Sequence, residues 1–289
     1  MRSFEILPDG ALVIDLTELT VHFGTVQAVN GLSLHVPEGA LYGLLGPNGA
    51  GKTTTIRCVA GLQKATSGTV RVDDLVVSES SLEAKSRLGV VPQQIALYEE
   101  LSVLDNLRIF GGLQGLAGRR LVDRIEWGLT LSQLEKKVEA RVSTLSGGMK
   151  RRLNLATSLL HDPKVVICDE PTAGVDPQSR NHLFDTIRAL HDEGRTIVYT
   201  THYMEEVEVL CDYVAIVDQG RVIANDTLEN LVGKGETATN YRIRLGAPTN
   251  PETLQAALAD FELTELQPER RSLEDVFLEL TGRALRDGS

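Results

Sequence analysis

The sequence predicts an α/β fold built on a mostly parallel sheet, and three observations carry that prediction. From residue 163 onward, short Val- and Ile-rich runs alternate with stretches whose apolar residues recur every three or four positions. Earlier, the apolar run 41–45 meets a Gly-rich turn, and that turn opens a stretch without breakers, giving strand, loop and helix. Between about residues 95 and 160 the texture is helical alone, which places a helical insertion inside the α/β alternation.

The elements follow in order. ALVIDLTE (11–18) and VNGLSLHVP (29–37) show partial period-two alternation and read as strands of an antiparallel β subdomain. TVRVDD (69–74) and RLGVVPQ (87–93) are further strands. SVLDNLRIFGGLQGL and RLVDRIEWGLTLSQLEKKV supply the inserted helices. PKVVICDEP (163–171) is a buried strand, SRNHLFDTIRALHDEG (179–194) a helix and TIVYTT (196–201) a strand. YMEEVEVLC (203–211) follows as a helix and YVAIVDQG (213–220) as a strand. The polar segment GKGETATN (233–240) reads as a linker. Beyond it lie one strand, YRIRL (241–245), and two helices, 251–260 and 272–286, a small α+β appendage. The expected domains are therefore 1–235 and 236–289.

Composition narrows the function. The chain has 289 residues, 42% hydrophobic and 24% charged, with a net charge of −11. An acidic balance disfavours a protein that clamps nucleic acid or lies on anionic lipid, since both are repelled at long range. Cys58, Cys168 and Cys211 lack metal-ligand spacing and read as small buried hydrophobes in a reducing cytosol. Residues 1–10 carry Glu5, Pro8 and Asp9 where a signal peptide needs an apolar core. No stretch approaches the apolar length of a membrane span, so any spanning is expected from another chain.

The strongest motif is Gly46-Pro47-Asn48-Gly49-Ala50-Gly51-Lys52-Thr53, a full match to G-x-x-x-x-G-K-[ST], with Thr54 next in line. Its glycines let backbone N–H groups converge on phosphate oxygens, and the helix that starts there adds its positive end. Lys52 reaches the β- and γ-phosphates, and the Thr53 hydroxyl is a ligand for Mg²⁺. The fold is thus a P-loop nucleoside-triphosphatase core. Such a core needs a carboxylate at the end of a second strand, and Val165-Val166-Ile167-Cys168-Asp169-Glu170 provides it. Asp169 is placed to hold Mg²⁺. Strand alternation aims Glu170 the other way, where it orients or deprotonates the attacking water.

Leu145-Ser146-Gly147-Gly148-Met149 lies ahead of Asp169 in the helical stretch and resembles the signature of ABC (ATP-binding cassette) ATPases. By its residues alone, Ser146 is a helix N-cap, and an N-cap serine beside two glycines is also an anion site. The resemblance implies that Ser146, Gly147 and Gly148 bind the ATP of the opposite subunit in a homodimer. It also implies that Gln93, with Gln94 adjacent, is the Q-loop residue that senses Mg²⁺ and the γ-phosphate. Asp176 falls in the D-loop, and by its residues is an N-cap before Pro177. His202 resembles the switch histidine. Phe23 resembles the aromatic that stacks on adenine, with a buried core role as the alternative. The catalytic set is then Lys52, Gln93, Glu170 and His202, with ATP and Mg²⁺ as cofactors.

The tail SLEDVFLELTGR (272–283) resembles the ending of export-type subunits, such as those for drugs. The Lys150-Arg151-Arg152 run reads as a solvated helix face. The resemblance implies a peripheral protein at the cytoplasmic face of the cell membrane, docked on a membrane-spanning permease chain, with no nucleic-acid partner. The alternatives are a soluble ABC ATPase of DNA repair or translation, and a P-loop kinase. One P-loop, no sustained heptads and no zinc pattern weigh against the first. The signature and the motif order weigh against the second.

Overall fold

The structure, a computed structural model, describes residues 11–78, 80–233, 241–243, 266–268 and 272–282. It divides into two compact units after Leu228. The segment 1–10, most of the expected linker and the expected helix 251–260 lie outside the described residues.

Two sheets build the first unit. Strands β1 (Leu12–Phe23), β2 (Val26–Pro37), β4 (Ser67–Val72) and β5 (Leu75–Val76) form an antiparallel sheet in the order β2-β1-β4-β5. β1 runs past the expected residue 18. It passes through Glu18, at φ 51°, where the register with β2 shifts, and a bulge absorbs the polar stretch there.

The second sheet joins β3 (Leu41–Leu45), β6 (Leu88–Val91), β7 (Val165–Asp169), β8 (Thr196–Thr201), β9 (Tyr213–Asp218) and β10 (Arg221–Thr227). Its order is β10-β9-β3-β8-β7-β6, parallel throughout except for the β10 edge. β3, β7 and β8 are buried at every position, which is why β3 and β7 read as near-continuous apolar runs. Sequence reading misses β10. Its signal is Gln219-Gly220, both at positive φ, a two-residue turn that returns the chain as a hairpin.

Helices α1 (Lys52–Val59), α2 (Leu82–Ser86), α6 (Pro177–Asp192) and α7 (Met204–Leu210) connect these strands. Between β6 and β7 stand α3 (Val103–Leu113), α4 (Gly118–Ser132) and α5 (Gly147–Ser158), the expected insertion. It has its own core, with Leu107, Leu134, Leu153 and Leu160 fully buried. Each such leucine contributes about 1.5–3 kcal/mol by leaving water. The three cysteines are free and buried, and burial pushes Cys58 up to about 11 and Cys168 up to about 12, which keeps both thiols protonated and inert.

After α8 (Leu228–Val232), the second unit contains β11 (Tyr241–Ile243) paired antiparallel with β12 (Leu266–Pro268), then α9 (Leu273–Thr281). α9 opens on a capping box of Ser272 and Asp275 and closes on Gly282 at φ 69°. Leu273, Val276 and Phe277 are its buried face.

Candidate nucleotide site

The Gly-rich loop leaves the C-terminal end of β3 and enters α1 through Gly51, at φ 102°. Gly51 offers no side-chain cap, so the first amides of α1 are left for an anion. Two glycines are also demanded by close packing. A Cβ on Gly46 would stand 2.2 Å from the Val217 carbonyl oxygen, and one on Gly51 would stand 2.5 Å from that of Ala28. Gly51→Ala is therefore expected to weaken ATP binding about tenfold or more, since left-handed strain alone costs roughly 1–2 kcal/mol. Calorimetric titration checks this, and wild-type affinity would contradict it.

Four elements bring the predicted polar residues to this loop. Lys52 is 4% exposed, and its Nζ donates to the carbonyl oxygens of Gly46 (2.7 Å) and Pro47 (3.2 Å). The same Nζ lies 3.3 Å from Glu170 Oε1. Burial pulls the Lys52 ammonium below its ordinary value, against the Glu170 and Asp169 carboxylates, which raise it. Thr53 Oγ1 donates to Asp169 Oδ1 at 3.3 Å, and Thr200 Oγ1 donates to the same oxygen at 2.7 Å. Gln93, in the loop after β6, donates from Nε2 to Glu170 Oε2 at 3.1 Å. His202, just past β8, places Nδ1 3.4 Å from that oxygen.

One expectation is corrected here. Strand alternation was to send Glu170 away from the face of Asp169. Instead Glu170 stands at φ 43°, and both carboxylates face the Gly-rich loop. A non-glycine residue in this conformation is strained. The strain is held by the Glu170 amide, which donates to Thr200 Oγ1 at 3.0 Å. The oxygens gathered around Thr53 and Asp169 are a hydroxyl and a carboxylate, a hard donor set that suits Mg²⁺.

The remaining predicted residues stand apart from this cluster, and none of the described hydrogen bonds or ion pairs joins them to it. Ser146 is exposed and caps α5, accepting from the Met149 amide at 3.3 Å. Gly147 has nothing within 4 Å of a built Cβ. Gly148 packs so closely on α6 that a Cβ would meet Ser179 Oγ at 2.2 Å. Asp176 caps α6, accepting from the Ser179 amide at 2.9 Å. The Ser179 hydroxyl first, and then that amide, hold its carboxyl below the ordinary value. The signature and D-loop are thus neighbours of each other. Phe23 is 49% exposed at the tip of β1, which removes the core alternative.

Arg151 overturns a second expectation. The Lys150-Arg151-Arg152 run is no solvated face: Arg151 is buried and donates to the carbonyl oxygens of Gln93 (2.6 Å) and Ala173 (3.1 Å). Arg152 donates to the Ser132 carbonyl oxygen at 2.8 Å. Arg151 therefore ties the signature helix to the backbones of both the Gln93 loop and the loop before Asp176. Its signal in the sequence was only helical phase.

A Gly-rich phosphate loop, a strand-end carboxylate pair and a capped signature helix on this sheet define an ABC-type ATPase cassette. The sequence profile of the family described as ABC transporter matches residues 29–173, and the chain belongs to that family. It is the ATP-binding and ATP-hydrolysing subunit of such a transporter. The linearmycin resistance ATP-binding protein LnrL of Bacillus subtilis is 37% identical over 92% of this chain and 97% of its own. A Nod factor export ATP-binding protein I of Cupriavidus pinatubonensis is 38% identical over 97% of this chain and 95% of its own. Among solved structures, a dimeric bacterial ABC transporter cassette superposes with a TM-score of 0.67. It is 25% identical, over 74% of this chain and 98% of that one.

Proposed function

We propose that this subunit powers export through a separate membrane-spanning chain, working as a head-to-tail pair of identical subunits. The observation that carries this is the divided site. Lys52, Gln93, Asp169, Glu170 and His202 converge on one point, while the exposed Ser146 caps only its own helix, and no described bond joins it or Gly147 to that point. A second copy completes the site by setting its signature against the first copy's phosphate loop.

The roles follow from position. The amides of Gly49 to Thr54 and the Lys52 ammonium hold the phosphates, and Phe23 offers its exposed ring to adenine. Thr53, Asp169 and Gln93 would hold Mg²⁺, which when bound would neutralise developing phosphate charge. Glu170 accepts a proton from the attacking water, and His202, beside it, holds the γ-phosphate end of the site. Nucleotide binding closes the pair, and hydrolysis reopens it.

No described helix is long and apolar enough to cross a membrane, and the transport pathway in this reading belongs to a partner chain. A cleft of about 740 Å³ beside Pro92, between α2 and the helical insertion, suits that partner. Its rim carries Leu82 at 80% and Leu113 at 74% exposure, apolar surface that a docked segment would cover. The subunit then sits at the cytoplasmic face of the membrane. The names of the two relatives, one for export and one for resistance, favour export as the direction.

Capture of the tagged chain from detergent-solubilised membranes tests this reading. It should bring down a polypeptide with several apolar spans of about 20 residues. Reconstitution with that polypeptide should raise ATP turnover. Capture of ribosomes or nucleic acid alone would contradict the reading.

A further inference from the structure

We propose that Glu206 is a positioning residue for ATP hydrolysis, its buried carboxylate holding the loop that carries Glu170 and the loop that carries His202 in one arrangement. The proposal rests on the roles assigned above to Glu170 and His202, and adds the residue that sets them against each other.

Glu206 is 2% exposed in the first turn of α7, and none of the described ion pairs includes it. Three hydroxyls serve it instead. Thr172 Oγ1 donates to Oε1 at 2.7 Å. The Tyr199 hydroxyl and Thr201 Oγ1 donate to Oε2 at 2.9 Å and 2.7 Å. Burial, with the Glu206 carboxylate beside it, raises the Tyr199 phenol well above its ordinary value and keeps it a donor. Thr201 Oγ1 also accepts from the Tyr203 amide at 3.0 Å, so this hydroxyl ties the residues on either side of His202 together.

The placement of these donors carries the argument. Thr172 lies two residues after Glu170, and Thr201 is the residue before His202. Each oxygen of one carboxylate therefore holds one of the two loops, and those loops bring Glu170 and His202 to 3.4 Å. A carboxylate buried without a cation is a costly way to fill space, and an apolar side chain would serve packing better. Glu170 also stands at φ 43°, a conformation that persists only where surrounding bonds over-determine it. Loss of about 1 Å of placement at a reacting group lowers turnover about 10²-fold.

The test uses the whole chain, four single variants and one double: Glu206→Gln, Thr172→Val, Thr201→Val, Ile187→Val in the α6 core as a stability control, and Glu206→Gln/Thr172→Val. Glutamine keeps the volume but presents an NH₂ where one acceptor oxygen was, so it cannot receive both loops. Glu206→Gln is expected to lower kcat about 10²-fold at unchanged KM for ATP. Thr172→Val and Thr201→Val should each lower kcat, and Glu206→Gln/Thr172→Val should fall no lower than Glu206→Gln alone, because both act through one carboxylate. Ile187→Val should lower the unfolding midpoint and leave kcat unchanged.

Wild-type kcat in Glu206→Gln overturns the proposal, and so do kcat losses that track the unfolding midpoint across the four single variants. If Glu206→Gln does not fold, the two Thr→Val variants decide, and wild-type kcat in both overturns it. Wild-type turnover in Glu170→Gln, by contrast, would overturn the assignment of Glu170 itself.

Discussion

Glu170→Gln is expected to bind ATP normally and to hydrolyse it about 10²–10⁴-fold more slowly, the usual contribution of a positioned general base. Glu170 is buried at 8% exposure and receives Lys52, Gln93 and His202 on its two oxygens. An amide keeps the volume and can still accept from a neighbour, but it cannot take a proton from water. The phosphate-holding groups are untouched: Lys52 keeps its bonds to the Gly46 and Pro47 carbonyl oxygens, and Thr53 keeps Asp169. Binding and turnover should therefore separate, with ATP persisting in the closed pair. Phosphate release and nucleotide retention, measured on one preparation, check this. Wild-type turnover would remove Glu170 from the mechanism.

Ser146→Arg is expected to abolish ATP-driven pairing while each subunit still binds nucleotide. Ser146 is exposed and makes no described bond to the phosphate loop, so binding within one chain does not need it. Its substitution removes the N-cap of α5, a cost of about 1 kcal/mol against a typical stability of 5–15, and the fold survives. The arginine would fill the space that the partner's ATP needs. ATP turnover should drop to the background of unpaired subunits. Light scattering after gel filtration reads the outcome directly, and an unchanged ATP-dependent pair would place the signature outside the interface.

Much of this site was legible in the sequence because its chemistry fixes spacing. The run Gly46 to Thr53 admits few residues at each position, and Asp169 could be found from four apolar residues leading to a strand end. Gln93 and His202 were implied by the resemblance to ABC ATPases, and the structure brings both to Glu170. What was not legible depends on elements distant in the chain. The turned backbone at Glu170 is set by Thr200 on a neighbouring strand. Burial of Arg151 depends on the carbonyls of Gln93 and Ala173, neither close to it in sequence. Glu206 looked like one more acid in an acidic helix, and only the meeting of Thr172, Tyr199 and Thr201 singles it out. The fold shows the same limit. Strands buried on both faces announced themselves, whereas β10, on an edge with a polar, half-exposed pattern, did not.

The central claim is that two chains share each ATP. Its most direct test is the mass of Glu170→Gln in solution with and without ATP, alone and combined with Ser146→Arg. The account predicts a monomer without nucleotide, a dimer holding one ATP per chain when ATP is added, and a nucleotide-bound monomer in the double variant. A Glu170→Gln chain that binds ATP and stays monomeric, or a double variant that still pairs, would contradict it.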